Sequence, residues 1–111
     1  RSRSRSRMVK DVATKEEFDS IIAGAKPVFV DFSATWCGPC QRIGPVFHKL
    51  ADEFGDKCVC IKIDVDDNEE TAAACGVESM PTFHVYKNGK LEHKFTGADE
   101  GALRECFKKY C

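Results

Sequence analysis

Two stretches of the chain are almost continuously apolar. Residues 27–34 read PVFVDFSA and residues 58–65 read CVCIKIDV. Runs of this length and β-branched content are typical of strands that are buried on both faces of a sheet. Asp31 interrupts the first run and Lys62 the second, and burying such groups costs free energy. The sequence therefore predicts two central strands that each carry an unusual charged residue.

Helical spacing, with apolar residues at intervals of three and four, marks three further segments. Thr14 precedes the first, Glu17 follows it at a capping-box spacing, and Gly24 ends the helix. Pro45 falls inside the longest of the three, where we expect it to kink the helix. A fourth, short helix is closed by Gly76. The predicted helices cover residues 15–24, 40–54, 68–77 and 99–111.

The remaining segments complete the order of elements. Residues 9–12 predict a short first strand, and the apolar segments around Asn88-Gly89 predict two strands joined by a two-residue hairpin. The resulting order is β-α-β-α-β-α-β-β-α. Strands joined through helices pair in parallel, whereas hairpin strands pair antiparallel. The sequence thus predicts one α/β domain, with a central mixed five-stranded sheet flanked by four helices.

Charge and composition limit the function. Residues 1–7 read RSRSRSR, which we interpret as a vector-derived tail rather than a nucleic-acid-binding arm, leaving residues 8–111 as the domain. Without its four arginines, 13 basic residues remain against 18 acidic ones, and the net charge falls from −1 to −5. Such a chain is not expected to bind nucleic acid. It has neither a signal peptide nor a run of the roughly 20 apolar residues that span a membrane, so a cytoplasmic location is predicted.

The main chemical signal is WCGPC at residues 36–40. Cys37 follows a buried strand and Cys40 lies in the first turn of the next helix, so their sulfurs are close enough to bond. The helix N-terminus stabilises a thiolate, so we expect a lowered pKa for Cys37, whose thiolate would attack disulfides. Pro39 suits the first helical position, and Gly38 permits a tight turn and an open surface. Trp36 offers an apolar ledge for an incoming chain, with simple core packing as the alternative.

A zinc site is the main alternative use of the cysteine pair. A structural site needs four ligands, of which Cys37 and Cys40 supply two. Cys58 and Cys60 could complete the set, but their spacing on an apolar strand predicts small buried hydrophobic residues. The chain holds seven cysteines, and an odd number does not close into a disulfide framework. We therefore predict a redox pair and no metal.

Asp31 is the second chemical signal. Burial raises the pKa of a carboxyl group, so Asp31 should exchange a proton near neutral pH. It precedes Cys40 by nine residues, which is compatible with a place beneath the pair and a role as the base for Cys40. The alternative is a structural ion pair with Lys62, and both interpretations can hold together.

Met80-Pro81 is the third signal. A proline just before a strand often does no more than mark an edge or a turn. A cis peptide at this position would instead expose backbone groups that pair with an extended substrate. The sequence alone leaves the two alternatives open.

Taken together, these motifs resemble the thioredoxin family over essentially residues 8–111. The matching segments are VDFSATWCGPC (30–40), Pro45, KIDVDDN (62–68), MPT (80–82), KNGK (87–90) and FTGA (95–98). DFSATWCGPC is most similar to animal cytosolic members. The resemblance implies the thioredoxin fold and a general protein-disulfide reductase that maintains cell redox homeostasis.

The resemblance also implies a role for each matching position. Cys37 would be the nucleophile and Cys40 the resolving cysteine, with Asp31 as the buried proton acceptor and Lys62 as its neighbour. Gly38-Pro39 would tune the redox potential. The groove that holds substrate chains would be formed by Trp36, Met80, Pro81, Gly97 and Ala98.

Partners are implied in the same way. No cofactor would be bound; electrons would come from NADPH through the FAD-containing thioredoxin reductase. Clients would include peroxiredoxins, ribonucleotide reductase and methionine sulfoxide reductases. Many animal members carry a dimer-forming cysteine directly before MPT, where this chain has Ser79, so a monomer is expected. Cys75 matches another extra cysteine of the family and is a candidate regulatory thiol, with an ordinary helix residue near a C-cap as the alternative. Cys111, expected to be exposed and open to adventitious intermolecular disulfides, is the second candidate.

Two other functions remain open. An oxidase or isomerase of the secretory pathway is the nearest, but such relatives usually place histidine between the cysteines, so Gly38-Pro39 favours a reductant. Small changes in reduction potential decide whether such a pair reduces or oxidises its clients, since about 30 mV corresponds to about 1.4 kcal/mol for a two-electron couple. A non-catalytic binding module is the other, and it would keep its function in a Cys37→Ser variant.

Overall fold

The structure is a computed structural model that describes residues 9–111; the Arg-Ser run and Met8, where the predicted domain boundary falls, lie outside the described residues. Its strands and helices follow the predicted order. The strands are β1 (Val9–Asp11), β2 (Val28–Ser33), β3 (Val59–Asp64), β4 (Thr82–Lys87) and β5 (Lys90–Thr96). The helices are α1 (Lys15–Ile22), α2 (Gly38–Phe54), α3 (Glu69–Ala74) and α4 (Glu100–Tyr110). Across this described part of the chain, no helix has the length and apolar character to span a membrane.

The five strands form one mixed sheet in the order β1-β3-β2-β4-β5. Strands β1, β3 and β2 run parallel, and β4 and β5 add to them as an antiparallel pair. The predicted fold class is therefore confirmed. All six residues of β2 are buried, which places this strand at the centre of the protein. The carboxyl ends of β2 and β3 meet at one edge of the sheet, and the helix that follows β2 begins there.

Alternating side chains of the sheet build a separate core on each face. Phe29 and Cys60 pack with apolar residues of α2 and α4, including Phe47 and Phe107. On the other face, residues such as Val30 pack toward α1 and the segment around α3. Because successive strand residues point to opposite faces, Asp31 shares the face of Phe29 and lies on the side of α2. The strand pattern thus directs a carboxyl group toward the helix that carries the cysteines.

The N-termini of α1 and α2 each differ from the prediction in one respect. Thr14 Oγ1 accepts a hydrogen bond from Glu17 N at 3.2 Å, which confirms the cap of α1. The carboxylate of Glu17 pairs with Lys10 Nζ at 2.7 Å instead of closing the capping box. Helix α2 begins at Gly38, two residues earlier than predicted, because the Cys37 side chain caps its N-terminus. Both differences arise from side-chain partners that apolar spacing does not reveal.

The hairpin between β4 and β5 is as predicted. Asn88 and Gly89 have φ values of 54° and 82°. Two successive positive φ angles define a type I′ turn, which matches the twist of the flanking strands and favours Asn-Gly. An irregularity between Val85 and Tyr86 shifts the pairing with β5, a feature that the alternation of residues does not predict.

Candidate active site

The cysteine pair lies where β2 leads into α2. Cys37 is the residue before the helix, and its Sγ accepts a hydrogen bond from Cys40 N at 3.2 Å. Pro39 lies in the first turn, where the helix has no intrahelical partner for an N–H. Cys37 and Cys40 are joined by a disulfide with their Cα atoms 5.2 Å apart. The predicted pairing is therefore present, and the structure represents the oxidised form.

The surroundings of the pair distinguish its two sulfurs. Cys37 Sγ lies at the N-terminus of a 17-residue helix, whose free N–H groups and dipole stabilise negative charge. Both cysteines are buried, with 5% of Cys37 and 3% of Cys40 exposed. The two sulfurs therefore differ by the cap, since Cys37 Sγ accepts the hydrogen bond from Cys40 N.

Gly38 is not needed for the tight turn that the sequence predicted. It is the first residue of α2 and has no positive φ, so the backbone does not demand a glycine. A Cβ built at this position would meet no atom within 4 Å. The glycine therefore leaves the surface beside the disulfide open.

Asp31 is buried in the sheet on the α2 side, with 2% of its surface exposed. It faces Lys62 directly across the parallel pair β2 and β3. Among the described residues 9–111, its Oδ1 has no hydrogen-bond partner. Burial raises the pKa of Asp31 to about 7, while the positive charge of Lys62 acts in the opposite direction. The group can therefore gain or lose a proton near neutral pH, as the sequence predicted.

Cys40 and Lys62 line the same cavity, which has a volume of about 480 Å³ and lies beside the first turns of α2. Gly44 and Pro45 of the helix contribute to its wall. Lys62 is half-buried, so its ammonium group can remain hydrated while it acts on Asp31. Lys62 thus borders the cavity that Cys40 also lines, and the same lysine faces Asp31 across the sheet.

Trp36 is 66% exposed, which excludes simple core packing. Its Nε1 donates a hydrogen bond to Asp66 Oδ2 at 2.8 Å. Asp66 N in turn donates to Asp64 Oδ1 at 2.9 Å, at the end of β3. Sequence reasoning did not single out Asp66; its only signal was its place in KIDVDDN, directly after a strand that ends beside β2.

The Met80-Pro81 peptide is cis, the alternative that the sequence left open. Cys37 Sγ lies 3.7 Å from Met80 O, so the loop touches the reactive pair. Pro81 O accepts a hydrogen bond from Gly97 N at 2.9 Å, and Gly97 has a φ of 100° that favours glycine. Ala98 follows, half-buried against the core. The structure therefore brings the predicted groove residues to one edge of the sheet.

Cys75 is half-buried on the opposite face of the sheet. Its Sγ lies 3.4 Å from the hydroxyl of Tyr86, which is also 3.0 Å from His84 Nδ1. Burial raises the pKa of Cys75 and lowers that of His84 to about 4. At neutral pH these shifts leave a thiol and a neutral imidazole on the sheet face opposite α2.

The other cysteines lie on the α2 and α4 side. Cys58 and Cys60 are buried in the core, as predicted, and Cys106 is buried with them. Cys111 was expected to be exposed, and this is wrong: it is half-buried and packs against the same core, because its N–H donates to Phe107 O at 3.0 Å and continues α4. Across residues 9–111 no group of three or more histidine, cysteine or acidic side chains could hold a metal ion.

A disulfide at the N-terminus of a helix, in contact with a cis-proline loop, defines a protein that exchanges thiols and disulfides. Comparison with known proteins identifies the class more closely. The thioredoxin family model matches residues 9–109. Thioredoxin of Gallus gallus is 52% identical over 103 residues, which cover 91% of this chain and 97% of that protein.

Solved structures agree with the sequence comparison. Thioredoxin of Plasmodium falciparum superposes with a TM-score of 0.88 at 44% identity, covering 92% of this chain and 99% of that one. A second solved chain superposes with a TM-score of 0.87 at 33% identity, covering 96% of this chain and 99% of that one. It comes from a study of the thiol resolving mechanism in yeast mitochondrial 1-Cys peroxiredoxin via glutathione and thioredoxin systems. The chain therefore belongs to the thioredoxin family and is a protein-disulfide oxidoreductase with a redox-active cysteine pair. It uses that disulfide in place of a bound cofactor.

Proposed function

We propose that the chain is a general reductase of protein disulfides in which Cys37 attacks and Cys40 resolves. The Cys37 thiolate attacks one sulfur of a client disulfide, and the other client sulfur leaves as a thiolate that takes up a proton. Cys40 then attacks Cys37, forms the intramolecular disulfide and releases the second client thiol. The cap geometry supports this order, since it is Cys37 whose Sγ accepts a hydrogen bond from the N-terminus of α2, at 3.2 Å from Cys40 N.

Asp31 is proposed as the proton acceptor for Cys40. A cysteine with its ordinary pKa near 8.5 is only a few per cent ionised at pH 7, so a nearby base speeds the resolving step. A carboxyl group with a pKa of about 7 is suited to this transfer. Lys62 tunes that pKa by its charge and faces the cavity that Cys40 also lines. Because Asp31 and Lys62 face each other across the sheet, the two residues can also stabilise the fold as an ion pair, which was the structural alternative.

Client chains are proposed to bind along the surface formed by Trp36, Gly38-Pro39, Met80-Pro81, Gly97 and Ala98. An extended client backbone next to Cys37 would find the flat ring of Trp36 on one side and the loop before β4 on the other. Main-chain pairing gives affinity for many sequences without strong side-chain preference. Gly38-Pro39 between the cysteines favours a reducing potential.

The cellular partners follow from family membership. Electrons are proposed to come from NADPH through thioredoxin reductase and its FAD, and to pass to clients such as ribonucleotide reductase and methionine sulfoxide reductases. Peroxiredoxins are the client class that the yeast comparison supports. We further propose that residues 8–111 act as a monomer in the cytoplasm, and that residues 1–7 are a tail without a role in the reaction.

The disulfide at the cap of α2 carries the proposal, and reduction of insulin disulfides tests it. The chain is assayed with NADPH and a thioredoxin reductase, alongside Cys37→Ser and Cys40→Ser variants and a Cys75→Ser control on the opposite sheet face. We expect turnover in the parent chain and the control, and its loss in both active-site variants. Absence of turnover in the parent chain, with both active-site thiols shown to be reducible, would favour the binding-module alternative.

A further inference from the structure

Three sulfur atoms gather at the end of the protein opposite the active site. Cys58 lies at the start of β3, whereas the active-site disulfide lies beyond the end of β2. Cys58 Sγ and Cys60 Sγ are 3.8 Å apart on the α2 and α4 side of the sheet. The side chain of Cys111 packs against the core cluster that contains Cys58 and acts electrostatically on the Cys58 thiol. No step of the proposed reaction uses any of these thiols.

We propose that Cys58 and Cys111 form a second oxidisable dithiol, which hydrogen peroxide converts to an intramolecular disulfide that joins the end of α4 to the start of β3. Cys111 packs against the core that contains Cys58, and its N–H is held by Phe107 O at 3.0 Å. Closing the bond requires the Cα atoms of Cys58 and Cys111 to lie within the roughly 4.4–6.8 Å that disulfides accept.

Cys60 is a poorer partner for Cys58 than Cys111 is. The two strand cysteines are separated by one residue in an extended segment, so their Cα atoms are about 6.6 Å apart at about 3.3 Å per residue. That distance is close to the upper end of the range that disulfides accept. Val59 between them donates its N–H to Pro27 O at 2.9 Å, which holds the segment extended. Cys60 instead supports the site by its hydrogen bond to Cys58.

Cys58 is the sulfur that reacts first. The hydrogen bond with Cys60 lowers the pKa of Cys58 although burial acts in the opposite direction, and Cys111 and the positive charge of Lys26 lower it further. The pKa of Cys111 is raised, chiefly by burial. Cys58 is only 5% exposed, so the oxidant must be small, and a protein disulfide could not reach it. Hydrogen peroxide meets that requirement.

The reaction is balanced in two steps. The Cys58 thiolate attacks one peroxide oxygen, the O–O bond breaks, Cys58 becomes a sulfenic acid, and the departing hydroxide takes up a proton to form water. The Cys111 sulfur then attacks Cys58; the S–S bond forms, the S–O bond breaks, and the leaving hydroxide takes the thiol proton to form a second water. Two electrons pass from the two sulfurs to one peroxide.

Peptide mapping tests the proposal on the whole chain. The reduced protein is treated with hydrogen peroxide at several dilutions, blocked with N-ethylmaleimide and cleaved with trypsin after lysine and arginine. Residues 58–62 (CVCIK) and 110–111 (YC) are then separate peptides, distinct from the one that holds Cys37 and Cys40. We expect CVCIK linked to YC through Cys58, with Cys60 blocked, at a rate that does not depend on protein concentration.

Variants make the test decisive. Cys111→Ser should abolish the linked peptide and leave insulin reduction unchanged, whereas Cys75→Ser should yield as much linked peptide as the parent chain. Oxidation should raise the unfolding temperature of the parent chain more than that of Cys111→Ser, in which only the active-site disulfide can add stability. A Cys58–Cys60 bond, a YC–YC link between two chains, or full blocking of Cys58 and Cys111 after peroxide treatment would each overturn the proposal.

Discussion

Asp31 and Lys62 face each other across the parallel strands β2 and β3, yet the carboxyl group behaves as a weak acid with a pKa of about 7. Burial of Asp31 therefore outweighs the attraction of the lysine. The same relationship makes Asp31 a suitable base and a destabilising residue, since a buried carboxylate costs free energy. Replacing Asp31 alone therefore tests both its effect on the free energy of unfolding and its role in catalysis.

Replacement of Asp31 should change how stability depends on pH. The pKa is about 7 in the fold and 3.8 ordinarily, so the folded chain holds the proton more tightly and loses stability as the pH rises from about 4 to 7. The full loss, reached above pH 7, is about 4 kcal/mol by the conversion of pKa to free energy. Asp31→Asn should therefore be more stable than the parent chain at pH 8 and gain much less at pH 4.5.

Guanidinium unfolding at the two pH values measures this difference. The exposed Asp67→Asn variant is the matched control, because it removes one carboxyl group of the same type without removing a buried charge. A gain in Asp31→Asn that is equal at both pH values would show that the carboxyl group does not titrate as described.

Asp31→Asn should also slow the resolving step. Without the base, only the few per cent of Cys40 that is ionised at pH 7 can attack, so we expect a fall of roughly tenfold at pH 7 that largely disappears near pH 9. Stopped-flow measurement of decay of the mixed disulfide at both pH values checks this, with Asp67→Asn as the control. A loss of rate of the same size at pH 9 would point to a structural role alone.

His84 should make stability depend on pH in the opposite direction to Asp31. Its pKa is about 4 in the fold, below the ordinary 6.5, chiefly because it is buried. The unfolded chain therefore takes up the proton first, and stability falls as the pH drops from about 6.5 to 4. In His84→Asn this acid-side slope should vanish. Between pH 4 and 6.5 the effects of Asp31 and His84 oppose each other, so each is obtained as the difference between parent and variant unfolding curves.

Removal of the Asp66 carboxylate should weaken client binding. Trp36 Nε1 would lose its partner at 2.8 Å, and the exposed ring would no longer be held in one orientation. A hydrogen bond worth about 1 kcal/mol predicts a rise of roughly fivefold in the KM for insulin, with little change in kcat. Asp66→Ala is compared with Asp67→Ala, and tryptophan fluorescence monitors the ring. An unchanged KM for Asp66→Ala would remove Trp36 orientation from the account of substrate binding.

Much of this architecture could be predicted from local sequence. Continuous apolar runs identify β2 and β3, Asn88-Gly89 identifies the hairpin, and the cysteine spacing identifies the redox pair. These features depend on a few neighbouring residues, so single-sequence reasoning can read them. Asp31 was found for a related reason, as a charge inside an otherwise apolar strand.

The features that were missed depend on residues far apart in the chain. Asp66 meets Trp36 across 30 positions, and nothing near either residue predicts the bond. Cys111 was expected to be exposed because it follows the last helix, yet α4 brings it back onto the core cluster that contains Cys58. Such contacts are set by tertiary packing, which local patterns do not encode.

The central claim is that Cys37 attacks the client and Cys40 resolves the mixed disulfide. Trapping measures it most directly: Cys40→Ser and Cys37→Ser variants are each incubated with an oxidised client, and the covalent adducts are mapped by mass spectrometry without reductant. We predict a stable adduct through Cys37 in Cys40→Ser, and little or none in Cys37→Ser. A stable adduct through Cys40 in Cys37→Ser, with none in Cys40→Ser, would contradict the assignment.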